Sequence, residues 1–416
     1  MNFINQVLWS ITIVIMFYVG IFYTIKLKGI QFKFKNIFKS IKNTDNSDIT
    51  PFQTLSMTLA GRIGVGSLSG VALSIYLGGA GTIFWMWIIS FIVCPLSYLE
   101  SYLAHYYHVK CDEEFVGGPA FYINKGLKKK KLANVYAFIL IITYIFGFLS
   151  IQANTITKSI TNLVNINPLV IGLIIGILSM VIMFRGVKNI SKFLEKLVPI
   201  MSIIFIVACL YILIINYNAL PKLFLNIINS AFNFKSFGFG VVGTLIIGIQ
   251  RGIFCNEAGI GTGSIASASS ESKDSDKQGK IQMFGIYFTT LVICTLTSFV
   301  IILSEHNISL EHINGIEITN YAFNYFFGNI GNLVVLISII LFAFSTIVAG
   351  YYYSETNVKF LTSNYKWINI LKIVTVLILI ISSVVRANVL WDFVDIFVSI
   401  LAIINIYVLY KFRNKI

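Results

Sequence analysis

Charge is what this chain has least of. Only 12% of its 416 residues are Asp, Glu, Lys or Arg, against 57% hydrophobic, which is not the composition of a soluble globular protein. Apolar runs recur from end to end and leave no stretch for a separate soluble domain, so residues 1–416 read as one integral membrane domain. Cysteine and histidine are scarce as well. Cys94, Cys111, Cys209, Cys255 and Cys294 form no CxxC or His/Cys ligand spacing, and His105, His108, His306 and His312 form no metal pattern. Four of the cysteines lie in apolar runs, where they read as small core residues. There is no HExxH and no GxSxG, so nothing supports an enzyme, and no cofactor is expected. The first apolar run, 7–25, lacks a basic flank and a small-residue cleavage site, which makes it a span rather than a signal peptide.

What is present is organised around residues 240–272, GVVGTLIIGIQRGIFCNEAGIGTGSIASASSES. This stretch is apolar enough for a membrane, yet it carries Arg251, Asn256 and Glu257 and crowds Gly248, Gly252, Gly259, Gly261 and Gly263 together. Each interior glycine costs a helix ~1 kcal/mol relative to alanine. A charge at bilayer depth costs at least about 3 kcal/mol unless it is paired or hydrated. Irregular backbone at that depth persists only where it is buried in protein or lines a cavity. The stretch therefore predicts a helix broken at Asn256–Gly263. A second stretch echoes it: residues 63–69 read IGVGSLS and residues 260–266 read IGTGSIA. Two glycine-interrupted apolar segments at matching places in two halves point to the binding site of a secondary transporter. Chance similarity between close-packing helices is the plainer alternative.

A span takes about 20 apolar residues. That rule predicts eleven, near 6–25, 51–77, 81–108, 133–157, 168–184, 193–216, 240–268, 281–304, 329–354, 367–385 and 390–411. Lysine and arginine crowd residues 26–42, 110–131, 185–196, 273–280, 359–366 and 411–415, whereas the alternate loops hold only Lys158, Lys222, Lys235 and Arg386. The asymmetry puts the first set in the cytoplasm, with the N-terminus outside and the C-terminus inside a cell membrane. Residues 29–42, with three phenylalanines among lysines, read as a segment lying along the cytoplasmic headgroups, and 222–239 as a similar outer-surface segment. The repeat divides the chain into an extra first span with its basic segment (1–50), a first half (51–216) and a second half (240–411). Halves of five spans must run in opposite directions, giving a five-plus-five inverted repeat.

The strings TLAGRIGVGSLSGVALSIYLGGAGTIFWMW (58–87), GGPAFYINKGL (117–127), QAN (152–154), RGIFCNEAGIGTGS (251–264), QGKIQMFGIY (278–287) and LFAFSTIVAGYYYSETN (341–357) follow one another across most of the chain. They resemble motifs of the alanine or glycine:cation symporters, sodium:alanine symporter-like carriers of the amino acid–polyamine–organocation superfamily. The resemblance implies an all-α, leucine-transporter-like fold whose first and sixth core helices, here spans two and seven, are unwound. It also implies a small neutral amino acid as substrate and sodium or another cation as driving ion.

An amino acid zwitterion needs donors for its carboxylate and acceptors for its ammonium, which half-helix ends and unwound carbonyls supply. Gly64, Gly66, Ser67, Asn256, Ala258 and Gly259 are the candidates on the two broken spans. Gln152, polar at lipid depth, is either a further substrate contact or a helix–helix hydrogen bond. Glu257 is either a partner for cation or ammonium or the counter-charge of Arg62 or Arg251, and the cost of an unpaired carboxylate favours the pairing. In the resembled fold a sodium site joins the first core helix to the eighth, which implies Ala60, Ile63, Phe342, Ser345 and Thr346 here. Ser and Thr in membrane helices also bond back to their own backbone. Ser67 stands where the family usually has Asn, Thr289 where an intramembrane Asp is usual, Ala80 for the proline of GGPG and Cys255 for a serine, so a single coupled sodium is expected. A non-transporting sensor on the same fold is the alternative function. It would be expected to add a soluble output domain, and the chain ends just after its last span. Uptake does not require nucleic acid, and the pattern leaves the oligomeric state open.

Overall fold

The computed structural model describes residues 3–42, 49–112, 114–233, 240–304 and 315–415, and among these described residues the protein is all-α apart from one hairpin. Helix α1 (Phe3–Lys26) leads through a tight turn to the amphipathic α2 (Phe34–Lys42). Here Ile37 is buried, while Phe32, Phe34 and Phe38 lay their rings 6.1, 5.5 and 5.6 Å from Phe91, Tyr287 and Phe284. The expected headgroup segment 29–42 thus rests its phenylalanines on the protein.

Helix α3 (Pro51–Arg62) starts at a capping box: Thr50 accepts from the Gln53 amide at 3.2 Å and Gln53 Oε1 accepts from the Thr50 amide at 3.0 Å, with Pro51 at the first position. It breaks at Ile63–Gly64. The chain resumes at Val65, passes through wide π turns at Gly66–Gly70 and continues as α4 (Val71–Gly78), bent by 51° from α3. Of the candidates on this span, Gly64 lies in the break, and Gly66 and Ser67 lie in the resumed helix. The long α5 (Thr82–Tyr106) is followed by a hairpin of β1 (Val109–Cys111) and β2 (Glu114–Val116), then α6 (Pro119–Leu127). Helices α7 (Lys130–Ile142) and α8 (Leu149–Thr161) are joined through π turns into one apolar stretch, and α9 (Pro168–Met183) and α10 (Gly186–Ile215) complete this half.

Helix α11 (Leu220–Ala231) carries part of the expected outer segment 222–239; residues 234–239 lie outside the described residues. Helix α12 (Gly240–Asn256) stops at the anticipated break, and α13 (Gly263–Ala268) resumes after it. Helices α14 (Ser275–Ile286) and α15 (Thr295–Leu303) are again joined by π turns, and α16 (Gly315–Phe327), α17 (Asn329–Leu361), α18 (Tyr365–Ser382) and α19 (Ala387–Lys411) follow.

Among the described residues, eight helices are long and apolar enough to cross a membrane, or nine with the bent pair α3–α4 as one span. Helix α9 has 16 residues, short of that length, and α12–α13 is divided at 257–262. The pattern of burial is that of a membrane protein. Helices α9, α10 and α18 turn Leu173, Ile177, Ile203, Val207 and Leu377 outward, while Arg62, Glu100, Gln152, Glu257 and Asp395 are buried.

The two broken helices pack on each other with α13 against α3 and α12 against α4. First half meets second half, so the helices run in opposite senses with their breaks side by side. Helices α5, α8, α10, α14 and α17 enclose them, and α1 clips onto α5 and α19 from outside. Trp9 Nε1 donates to Asp395 O at 3.1 Å and Tyr23 Oη to Leu409 O at 2.6 Å.

Candidate functional site

At the break at Ile63–Gly64, side chains from two other helices occupy the space a side chain at Gly64 would need. A Cβ there would lie 2.4 Å from Thr346 Oγ1 and 3.0 Å from Gln152 Oε1. Ile63 (φ −90°, ψ 77°) leaves the helical region, and the Val65 amide, first of the resumed helix, donates to Gln152 Oε1 at 3.0 Å. Gln152 therefore caps a half-helix whose orphan amides and positive dipole end would otherwise face empty space or an anion. It fulfils the structural alternative and stands at the break at once.

On the other side of the break, Thr346 Oγ1 lies 2.8 Å from Ala60 O and 2.9 Å from Phe342 O. Three oxygens of the expected sodium set, one hydroxyl and two carbonyls, thus meet. Ser345 is different. Its hydroxyl bonds to Phe342 O at 2.8 Å within its own helix and otherwise faces Met201 Sδ at 3.5 Å on α10. Ser67 is buried in the resumed helix, with its hydroxyl 3.5 Å from Arg62 O. Gly66 faces α12, where a Cβ would lie 2.9 Å from the Phe254 ring and 3.5 Å from Cys255 Sγ.

The second break is held by side chains of distant helices. Asn256 Oδ1 accepts from the Ala258 amide at 3.0 Å, a local turn that ends α12. Its Nδ2 reaches Ser90 Oγ at 3.4 Å. Glu257, Gly259 and Gly261 have φ of 52°, 82° and 98°, the left-handed region in which a glycine is unstrained. Tyr136 Oη donates to Ile260 O at 2.7 Å, and Asn405 Nδ2 donates to Gly259 O at 3.0 Å and to Glu100 Oε1 at 2.5 Å. Tyr122 donates in turn to Asn405 Oδ1.

A Cβ on Gly259 would meet Met16 of α1 at 2.7 Å, so α1 packs closely on the turn at this glycine. Glu257 takes its hydrogen bonds from Tyr144 Oη at 2.8 Å and Thr262 Oγ1 at 3.0 Å rather than pairing with an arginine. Arg251 instead meets Asp395 at 2.7 Å, and Arg62 donates to Gln282 O at 3.0 Å and Ser97 Oγ at 3.1 Å. Neutral donors bond the carboxylate directly, and Arg62 acts on it as a nearby charge without a hydrogen bond between them.

Between the breaks and the Arg251–Asp395 pair stands a stack of rings. Tyr144 lies 4.7 Å from Phe148, Phe148 4.8 Å from Phe254 at 5° between planes, and Phe254 5.1 Å from Trp391. The Arg251 guanidinium lies 4.7 Å over Trp391. Sequence reasoning passed over Asp395, Asn405 and this stack. A carboxylate eight residues into an apolar helix is itself a signal of a functional or paired site, and Asp395 of α19 is such a residue.

Residues 1–416 match the model of the sodium:alanine symporter family. The chain is similar to the amino-acid carrier protein AlsT of Bacillus subtilis (strain 168), 34% identical over 99% of this chain and 89% of that one. It is similar also to the sodium/alanine symporter AgcS of Methanococcus maripaludis, 32% identical over 97% and 92%, and to the probable sodium/glutamine symporter GlnT of Bacillus subtilis (strain 168), 35% identical over 97% and 85%. Its fold resembles a sodium-coupled sialic acid symporter in a substrate-bound outward-open state. The TM-score is 0.53 at 13% identity, covering 97% of this chain and 82% of the other. A multi-pass membrane protein with this match over its whole length, the chain belongs to the sodium:alanine symporter family.

Proposed function

We propose that the protein carries a small neutral amino acid, alanine or glycine, across the cell membrane together with sodium by alternating access. The observation that carries the reading is the meeting at Gly64. One break brings together a half-helix end, an amide side chain (Gln152), and a hydroxyl (Thr346) that also touches two carbonyls, of Ala60 and Phe342. In this reading the resumed helix at Val65 and Gln152 receive the carboxylate. Carbonyls freed at the second break, with Asn256 and Ala258 beside them, receive the ammonium. Gly66, Ser67 and Phe254 bound the side-chain end. Sodium sits on Ala60, Ile63, Phe342 and Thr346, joined by Ser345 once its hydroxyl leaves the bond to its own helix. Hard carbonyl and hydroxyl oxygens suit a small cation.

The antiparallel contact of the broken helices, α13 on α3 and α12 on α4, supports a five-plus-five inverted repeat. It is consistent with eleven spans if α9 and the divided α12–α13 are counted, with halves at 51–216 and 240–411. The lysine-rich loops support a cytoplasmic C-terminus and an external N-terminus. In that orientation the Arg251–Asp395 pair and the ring stack close the outer side of the site.

Uptake of labelled alanine or glycine into proteoliposomes tests the reading. Accumulation is expected only with an inward sodium gradient, with competition by the other small amino acid and little by leucine or phenylalanine. Equal uptake in potassium buffer at constant pH removes the coupling; equal competition by phenylalanine removes the small pocket.

A further inference from the structure

A groove of about 400 Å³ runs up the outside of the molecule between α1, α7 and α19. Its walls are apolar: Ile15, Tyr18 and Val19 from α1, Leu132 from α7, Ile403 and Ile406 from α19. At the foot stand Tyr407 and Tyr410, and around their rings the cations gather. Lys129 Nζ lies 3.1 Å from Tyr407 Oη, Lys411 Nζ lies 5.4 Å from the Tyr407 ring centre, and the Arg413 guanidinium lies 4.5 Å over Tyr410. Lys26, at the end of α1, bonds to the Arg413 carbonyl. Among the described residues none of these four cations pairs with a carboxylate. Apolar length ending in positive charge with no carboxylate partner is the complement of an acyl chain that ends in an acidic headgroup.

We propose that this groove binds an anionic phospholipid, with an acyl chain along Ile15, Leu132 and Ile403 and its phosphate at Lys129, Lys411 and Arg413. Two features separate it from ordinary lipid contact. Tyr407 and Tyr410 hold the cations in place by ring contacts, so the charges are pre-positioned rather than free to wander. The groove also lies on the seam between α1, which stands outside the repeat, and α19, which carries Asp395. A lipid there joins the two helices along the length that Trp9 and Tyr23 clip at either end. Basic pockets between membrane helices on the cytoplasmic side are suited to acidic headgroups, and the inference shares that orientation with the functional reading while needing none of its substrate assignments.

The test uses the purified full chain in detergent, with thermal unfolding followed as phosphatidylglycerol, phosphatidylcholine of the same acyl chains, or inorganic phosphate is added. Phosphatidylglycerol is expected to raise the midpoint by several degrees, and phosphatidylcholine or phosphate by little. Two variants are each expected to abolish the difference between the lipids: Lys129→Gln/Lys411→Gln, which removes charge, and Ile403→Trp, which fills the groove. Native mass spectrometry reads the same preference as retained phosphatidylglycerol, independently of stability. Equal shifts by the two lipids reduce the groove to general solvation, and an equal shift by phosphate makes it a free-anion site. Retention of the preference in both variants places the lipid elsewhere; each outcome overturns the proposal.

Discussion

Arg251 on α12 and Asp395 on α19 meet at 2.7 Å with both side chains buried, and the pair closes a ring stack that begins at Tyr144 beside the second break. One short contact joins them: Arg251 Nη1 and Asp395 Oδ1 have no partner of their own, and the Gln250 side chain stands beside Asp395. A pair that leaves half its bonding capacity unused is poor as a stability device and suits one that must open.

Removing one partner strands the other. Asp395→Asn is expected to leave a buried uncompensated guanidinium, a loss on the order of 3–5 kcal/mol. The thermal midpoint in detergent should fall clearly. Replacing both groups, Arg251→Met with Asp395→Leu, should restore most of the midpoint but not substrate uptake. If the double variant transports normally, the pair has no part in closing the site.

Thr346 and Ser345 should no longer behave alike. Thr346 touches Ala60 across the helix interface, while Ser345 is turned to its own helix and Met201. Thr346→Ala is expected to raise the sodium concentration for half-maximal uptake about tenfold, equivalent to ~1.4 kcal/mol, and Ser345→Ala by less. Equal and negligible effects of both would remove sodium from this site.

At Gly64 a methyl group meets Thr346 Oγ1 at 2.4 Å and Gln152 at 3.0 Å. Neither can retreat without giving up its bond to Ala60 O or to the Val65 amide. Gly64→Ala is therefore expected to abolish uptake, whereas Gly66→Ala, which meets the movable ring of Phe254, should keep a measurable fraction. Uptake assays on both variants, matched for surface expression, check this; full activity of Gly64→Ala would show that the break has room to spare.

The two breaks were legible because glycine clusters beside charge leave few alternatives for a backbone at lipid depth. Their partners were not. Tyr136, Tyr144 and Asn405 reach the second break from helices far away in sequence, and no local spacing records that approach. A glycine at 259 signals a close approach, but which body approaches on the side a Cβ would take is a tertiary fact, and there it is Met16. Glu257 was assigned an arginine because only charge was weighed, while Tyr144 and Thr262 satisfy it as neutral donors. The span count is less legible: 168–184 reads as a span, yet its helix α9 has 16 residues and falls below the span criterion, though it packs on α18.

At the opposite end from Arg251, the hairpin β1–β2 fastens two helices through one carboxylate. Glu114 Oε2 lies 3.0 Å from Lys359 Nζ on α17, and Glu114 Oε1 accepts from the Val187 amide at the start of α10 at 3.3 Å. Lys359 also pairs with Glu355 at 2.9 Å, one turn earlier on its own helix. If Glu114 is lost, Lys359 therefore keeps a counter-charge, and a partly exposed pair contributes only ~1 kcal/mol or less. Strand β2 packs against α13, the resumed half of the second broken helix, so release of the hairpin uncovers that half first. Glu114→Gln is expected to leave the thermal midpoint nearly unchanged while exposing Ser269, which is buried at the end of α13. The measurement is the labelling rate of Ser269→Cys by a membrane-impermeant maleimide, in a background with the half-buried Cys111 replaced by serine. The rate should rise several-fold with Glu114→Gln and be partly restored by Glu114→Asp. An unchanged rate at a normal midpoint would mean that the hairpin is a fixed strut and that this side of the site opens elsewhere.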